Sequence, residues 1–468
     1  MHYELLILTP FLLILYINFD FNIMATYYDQ NKYNILREEY KFFRFQRYNY
    51  TLDKGNLSVK FYFSLDDKFF FTPSFEIPSN KLYDWDNLND SHLDTLIFNI
   101  GMIELVSYWK LACPKKVYIM PYDLDEKQIL WWKKLYFNGL GEFFYLNGIK
   151  ENVNDFMEII PEGEFSCEKI NIELEEKTLV PIGGGKDSVV TIELLKNKMP
   201  IIPLIINPRG ATKECVETAG FSLEQTAVIK RILDPTMLRM NNEGFLNGHT
   251  PFSALLAFYT ILIGFAANSK YIALSNESSA NEPTVPDTEV NHQYSKSIAF
   301  ENDFRNYVDE YISSEIQYFS FLRPLNELQI ARFFSKNKDY YKVFKSCNVG
   351  SKTDSWCGKC PKCLFTWLIM SPFIPQDELS DIFGKNLLED NDLIPILKQL
   401  SGEVEVKPFE CVGTVEEVNA CLEYCRKAKD ERQKSLVPSV ENLLNQYDET
   451  NNLPKHFEAI LKSNLRNS

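Results

Sequence analysis

Six residues, Gly183-Gly184-Gly185-Lys186-Asp187-Ser188, stand between a strand-like run and a helix-like run. Glycines let the backbone come close to an anion, and the helix N-terminus that follows aims unpaired N–H groups and a positive dipole end at it. A phosphate site is the natural reading. It is not a Walker A loop, because the G-x-x-x-x-G-K-[ST] spacing is absent. A second array is Cys347, Cys357, Cys360 and Cys363, spaced C-x9-C-x2-C-x2-C. Four thiolates are soft ligands that satisfy tetrahedral Zn²⁺ in a closed structural site. A third constellation is the polar run Ser275 to Glu282 (SNESSANE), followed by Asn291 to Ser297 (NHQYSKS). It offers Asn276, Asn281 and Glu282 as further nucleotide-binding candidates. His292, His249, Glu277, Lys296 and Cys411 are the candidate acid/base groups, with His292 and His249 first among them. Arg209, Lys186 and Lys296 are candidate clamps for phosphates or carboxylates.

The elements that must hold these residues are legible in the periodicity. Thr178–Ile182 reads as a strand, Val189–Lys196 as a helix and Ile201–Asn207 as a strand, so GGGKDS sits in a βαβ opening. An apolar helix, Phe252–Ala267, leads into strand Tyr271–Ser275. In a parallel sheet, ligand loops lie at the carboxyl ends of strands, where both GGGKDS and SNESSANE fall; the two are expected to line one crevice. Upstream, Phe43–Thr51, Leu57–Leu65 and Phe69–Phe75 alternate as half-buried strands with Asp53-Lys54-Gly55 and Asp66-Asp67 as turns, a β-meander. A helix over Asp94–Leu111, a strand Lys116–Met120 and a helix from Glu126 to Asn147 follow. Glu162 to Glu176 is acidic and marks a boundary. Beyond Pro372 the pattern is helical, including Thr414–Lys429, where Thr414 and Glu417 form a T-x-x-E capping box. The expected division is an apolar leader over 1–23, an α+β domain over 24–162, a parallel α/β domain over 163–372 and a helical region over 373–468.

Composition limits the function classes. The chain has 468 residues and a net charge of −15, with 45% hydrophobic and 24% charged residues, the balance of a globular protein with a large core. Extended contact with nucleic acid or an anionic membrane needs a positive footprint that this charge lacks. A small acidic substrate held by a few local cations stays compatible with it. Ten cysteines are too sparse for a disulfide framework, which points to a reducing, cytoplasmic setting. Leu5–Phe19 is almost wholly apolar but shorter than a membrane span and interrupted by Pro10. An early start, with Met24 as the first residue of the working chain, is the expectation there, and stable membrane insertion is not.

The loop GGGKDS resembles the PP-loop (S-G-G-x-D-S) of the N-type ATP pyrophosphatases, with Gly183 where that family usually has Ser. Those enzymes split ATP into AMP and pyrophosphate. The resemblance implies that Gly184, Gly185 and Ser188 hold phosphate oxygens and that Asp187 helps hold Mg²⁺. The cysteine array after such a domain is similar to the zinc knuckle of 7-cyano-7-deazaguanine synthase, an alternative within the same group. From another class, a non-catalytic nucleotide sensor would bind ATP through the same loop. Several segments together are more specific: GMIELVSYWKLACP (Gly101–Pro114), GLGEFFYLN (Gly139–Asn147), PIGGGKDS (Pro181–Ser188), SNESSANE, NHQYSKS, WCGKCPKC (Trp356–Cys363) and KPFECVGT (Lys407–Thr414). They resemble the MurL family of UDP-N-acetylmuramoyl-L-alanyl-L-glutamate epimerases. That resemblance implies ATP, with the Mg²⁺ of the PP-loop, and a UDP-linked muramoyl dipeptide as the small-molecule partner; the structural Zn²⁺ rests on the cysteine spacing.

Overall fold

The computed structural model describes residues 30–428 and 435–466; the apolar run Leu5–Phe19 and the start at Met24 lie outside them. Aromatic and β-branched residues in alternation build the first strands: β1 (Phe42–Asp53), β2 (Asn56–Leu65), β3 (Phe69–Phe71) and β4 (Ser74–Ile77). The single strand expected over Phe69–Phe75 is two. Pro73 has no N–H to give, and the Thr72 N–H turns aside to the Asp234 carboxylate at 2.7 Å. Later strands are β5 (Lys116–Ile119), β6 (Glu158–Pro161), β7 (Thr178–Pro181), β8 (Ile201–Ile206), β9 (Ala227–Ile232), β10 (Tyr271–Leu274) and β11 (Gln317–Ser320).

Among the described residues these eleven strands form one sheet, in the order β11-β10-β7-β8-β9-β4-β2-β1-β5-β6, with β3 beside β2. Strands β11 to β9 are mutually parallel. β4 meets β9 antiparallel, so the meander and the parallel half are continuous. Parallel strands covered on both faces must be apolar on both. Leu179 of β7 enters one core and Val180 the other; Ile202 and Ile205 of β8 divide the same way.

The helix Asp90–Trp109 is buried on every side from Thr95 onward, and its Glu104 takes two hydrogen bonds from Arg231 of β9, at 2.7 and 2.8 Å. The helix expected over Glu126–Asn147 is broken into Glu126–Gly139 and Gly141–Leu146. At Gly139 a Cβ would lie 2.7 Å from Pro251, so only glycine lets the first segment close on the chain entering helix Phe252–Ala266. The break redirects Glu142. At the other end, Val415–Ala428 carries the expected cap: the Thr414 N–H donates to Glu417 at 2.6 Å and the Glu417 N–H donates to Thr414 Oγ1 at 3.2 Å. No helix among the described residues is long and apolar enough to cross a membrane.

Candidate active site

β7 sends its chain to β8 on one side, while β10 lies on its other side, so the strand order reverses between β7 and β10. That switch point is where an open α/β sheet binds ligands. The two loops expected to share a crevice do so. A cleft of about 330 Å³ there is lined by Gly183, Gly185, Asp187 and Ser188 from one loop and Ser275, Asn276 and Glu277 from the other.

The glycine loop is shaped for a close approach. Gly184 has φ +82°, and a Cβ on it would stand 3.1 Å from the Ala211 carbonyl carbon. Nothing lies within 4 Å of a Cβ built on Gly183, so that position has room for the usual serine. Gly185 caps helix Lys186–Leu195 without a side-chain hydrogen bond, leaving first-turn N–H groups toward the cleft. Lys186 itself does not line the cleft. Its ammonium is buried between the carboxylates of Asp187 and Glu327, which raise its pKa against the effect of burial. Burial also works against ionisation of Asp187, but Lys186, Lys362 and Lys296 hold its carboxyl below the usual range. Arg209, Lys296, Lys345 and Lys362 supply the positive lining.

Asn281 and Glu282 do not line the cleft. Asn281 accepts the Ile298 N–H at 2.8 Å, and Glu282 pairs with Lys407, whose ammonium also donates to the Gly413 carbonyl at 3.3 Å. The Glu282–Lys407 pair ties down the loop that carries Cys411, and Asn281 ties its own loop to the helix that starts at Ile298. Arg323, fully buried just beyond β11, donates to the Glu277 carbonyl at 2.6 Å and to the Lys296 carbonyl, fixing two cleft residues at once.

Cys411 is half-buried on the cleft wall, and Lys296 Nζ donates to its sulfur at 3.0 Å. Behind it, the charge of His292 acts on the same thiol, and His292 places Nδ1 2.5 Å from Glu142 Oε2. His249 lies beside His292, with ring centroids 4.6 Å apart and the rings tilted by 49°. Burial alone would raise the Cys411 thiol, yet Lys296, Lys362 and His292 hold it well below its ordinary value. Burial likewise opposes a charged His292, but Cys411 and Glu142 lift it to about 9. Burial and the charge of His292 push His249 down to about 4. The histidines therefore stand behind Cys411, while Cys411, Lys296 and Glu277 face the cleft.

The four clustered cysteines lie at the mouth of helix Pro361–Met370, with Sγ···Sγ distances of 3.7 Å (Cys347–Cys360), 3.7 Å (Cys357–Cys363) and 3.5 Å (Cys360–Cys363). Four Zn–S bonds of about 2.3 Å in a tetrahedron need sulfur separations of about 3.8 Å. The set fits that ion. Cys347 also lines the cleft, and Asp354, on the same loop, accepts N–H bonds from Gly210 and Ala211 at 3.0 Å each.

The family model described as the MurL N-terminal domain matches residues 35–321, and that of the MurL C-terminal domain matches 343–455. The chain belongs to the MurL family. Relatives from Xanthomonas oryzae pv. oryzae, a Micromonospora species and Salinispora tropica are each 34% identical to it, over 72%, 67% and 68% of this chain and 76%, 70% and 70% of their own lengths. Each is named UDP-N-acetyl-alpha-D-muramoyl-L-alanyl-L-glutamate epimerase. As a MurL protein, the chain is an enzyme of the epimerase class. Its cleft draws on both matched regions. The N-terminal match holds Glu142, the glycine loop, Glu277, His292 and Lys296; the C-terminal match holds the cysteine cluster and Cys411. Glu327, Asp354 and Lys362 line the cleft and Glu142 stands behind it on His292, and sequence reading does not single them out. Glu142 and Lys362 lie within quoted segments and Asp354 stands two residues before one, whereas Glu327 is far from all of them.

Proposed function

We propose that the chain converts the terminal L-Glu of UDP-N-acetylmuramoyl-L-alanyl-L-glutamate into D-Glu at the expense of ATP, in the cytoplasm, as one step of peptidoglycan precursor synthesis. The observation that carries this reading is the meeting, in one cleft, of a glycine loop opening a helix and the Cys411–Lys296 pair. A phosphate-binding end and a proton-transfer end within one small cavity suit an enzyme that first activates a carboxylate and then works on the carbon next to it.

The α-hydrogen of a free carboxylate resists removal because the new charge would sit beside an existing one. Activation removes that obstacle. An oxygen of the glutamyl α-carboxylate attacks the α-phosphorus of ATP, the O–P bond forms, and pyrophosphate leaves. Gly183, Gly184, Gly185 and Ser188 are the proposed phosphate contacts, in the manner of a PP-loop, with Arg209 and Lys345 as cationic neighbours. Asp187 would hold Mg²⁺, which supplies charge neutralisation at the leaving group. The Phe252 ring, 46% exposed, and Leu256 give the cleft an apolar wall suited to a nucleobase. Ser275 Oγ is buried there without a protein partner, ready for a ligand atom.

Cys411, as thiolate, takes the α-proton; the electron pair moves onto the activated carbonyl oxygen, near the Lys296 ammonium. Glu277 is the proposed second acid/base group, returning a proton from the other face. Water then cleaves the acyl–phosphate bond, releasing AMP and the D-epimer. The cysteine cluster is proposed to hold a structural Zn²⁺, which fixes the loop bearing Asp354 over the glycine loop.

Incubation with ATP, Mg²⁺ and the UDP-linked dipeptide in heavy water tests the reading. The expected result is pyrophosphate release together with one deuterium at the glutamyl α-carbon. Folded protein that gives neither overturns it.

A further inference from the structure

The glycine loop offers backbone N–H groups to a phosphate, but its own hydroxyl is turned away. Gly183 has no side chain, and Ser188 Oγ donates to the Gly185 carbonyl at 3.0 Å. A hydroxyl from the C-terminal matched region stands against the loop instead: Ser346 Oγ lies 2.6 Å from where a Cβ on Gly185 would be. We propose that Ser346 is a phosphate-binding residue, its hydroxyl donating to the same phosphate group that the N–H groups at the start of helix Lys186–Leu195 hold. The inference rests on the reading of this cleft as the ATP site and adds to it a contact that the glycine loop does not contain.

Ser346 lines the cleft beside Gly183, Gly185 and Asp187. Its oxygen is its nearest atom to the loop, since its Cβ and Cα stand 3.6 and 3.9 Å from the same point, so the side chain is directed at Gly185. Gly185 has φ −96° and ψ 171°, a conformation open to any residue. The three atoms nearest a Cβ there all belong to Ser346. What a side chain at 185 would displace is therefore this hydroxyl, and glycine leaves it room. The backbone keeps the two segments in register. The Lys345 N–H donates to the Gly184 carbonyl at 2.7 Å, which fixes the peptide plane carrying the Gly185 N–H. On the other side of Ser346, Cys347 Sγ accepts the Gly350 N–H at 3.1 Å and stands 3.7 Å from Cys360 Sγ. Ser346 is thus held between the glycine loop and the cysteine array.

A phosphate group accepts more hydrogen bonds than the N–H groups of one helix end supply, and those approach it from one side. A hydroxyl on a second segment complements them. Its bond to an anion is charge-assisted, and it adds no further cation to a cleft already lined by Arg209, Lys296, Lys345 and Lys362. The neighbouring Lys345 does not take this place: its ammonium donates to the Lys342 and Phe344 carbonyls at 2.8 and 3.1 Å. The phosphate end of the cleft is then completed by the C-terminal matched region, which also supplies Cys411 to the other end.

Calorimetric titration of the full chain with ATP and Mg²⁺, in the absence of the dipeptide, tests the proposal. Ser346→Ala is expected to weaken ATP binding by at least about tenfold, the scale of one hydrogen bond to a charged group. Ser346→Thr, which keeps a hydroxyl, should lose much less. Gly185→Ala should cost a factor similar to Ser346→Ala, because its methyl group displaces the same oxygen. Added to Ser346→Ala it should cost little more, since the oxygen it would meet is gone. A thermal melt shows that each variant is folded. Unchanged ATP binding in folded Ser346→Ala, or fully additive losses in the double variant, overturns the proposal; should Ser346→Ala not fold, unchanged binding in Gly185→Ala does so. Failure of the underlying reading looks different, because the parent itself would then bind no ATP, and both readings would fall together.

Discussion

Cys347, Cys357, Cys360 and Cys363 face one another, whereas Cys411, also beside the cleft, faces an ammonium and an imidazole. The contrast is one of where the compensating charge comes from. Four thiolates 3.5–3.7 Å apart repel unless a dication sits among them, so the proposed Zn²⁺ would complete that cluster from outside. A single thiolate needs only cations the fold already carries, and Lys296 reaches it from 115 positions away in sequence. Sulfur in the first setting would lock a loop once metal is bound, and in the second it lines the cavity. One residue type thus serves architecture or chemistry according to its neighbours.

The sharpest way to break this contrast is to remove the fifth thiol. Cys411→Ala is expected to lower α-deuterium incorporation by about a thousandfold, the scale of a lost general base. Its melting temperature should stay within a few degrees of the parent. Epimerisation that survives in this variant would sink the assignment of Cys411. Asp187→Ala sharpens it from the other end of the cleft, with an expected loss of about a hundredfold in pyrophosphate release. Pyrophosphate release should persist in Cys411→Ala, because the thiol acts after activation; joint loss of both signals in each variant would merge the two ends into one function.

For the cluster the expected effect is on stability instead. Cys360→Ser removes one of four ligands and should lower the melting temperature by on the order of 5 °C, with zinc content falling in step. Metal analysis of freshly purified protein checks the claim. A zinc-free parent, or a Cys360→Ser variant as stable as the parent, would erase the distinction between the two sulfur sites.

Much of this arrangement is legible in sequence where local pattern and topology agree. The βαβ around GGGKDS and the strand before SNESSANE follow from short apolar runs next to glycine and polar loops, and the switch-point rule brings them together. β9 and β11 are not legible: Ala227–Ile232 carries Lys230 and Arg231, and Gln317–Ser320 is four residues long. Lys186 reads as a phosphate clamp from its place in the motif. Its true partner besides Asp187 is Glu327, 141 positions away, and no local pattern announces a buried ion pair of that span. Glu142 is hidden for the same reason, since its approach to His292 depends on a helix break and a glycine–proline contact, both tertiary.

The smallest expected effect is on the pH dependence of stability. His292 has its pKa raised to about 9 from an ordinary 6.5, so its contribution is full below 6.5 and lost as pH rises through about 9. Cys411 is held well below its ordinary 9.0, so its contribution is present above 9.0 and lost as pH falls through the folded value. Between 6.5 and about 9 the two slopes cancel: the unfolded pair holds one proton, on sulfur, and the folded pair holds one, on the imidazole. Below 6.5 the unfolded pair takes a second proton that the folded pair refuses, and stability falls. His249, at about 4 in the folded chain, adds a slope of the same sign from 6.5 downward. His292→Gln removes one of the two cancelling slopes while Lys296 and Lys362 still hold Cys411 down. Relative to the parent, its melting temperature should then rise as pH rises from 6.5 to 9, by on the order of 1–2 °C per unit, given at most about 1.4 kcal/mol per proton and pH unit. Lys110, near 8, titrates in both proteins and drops out of the difference. A difference curve that stays level across this window would mean that no proton is shared between sulfur and imidazole, and the cation-held thiolate would lose the feature that separates it from the clustered four.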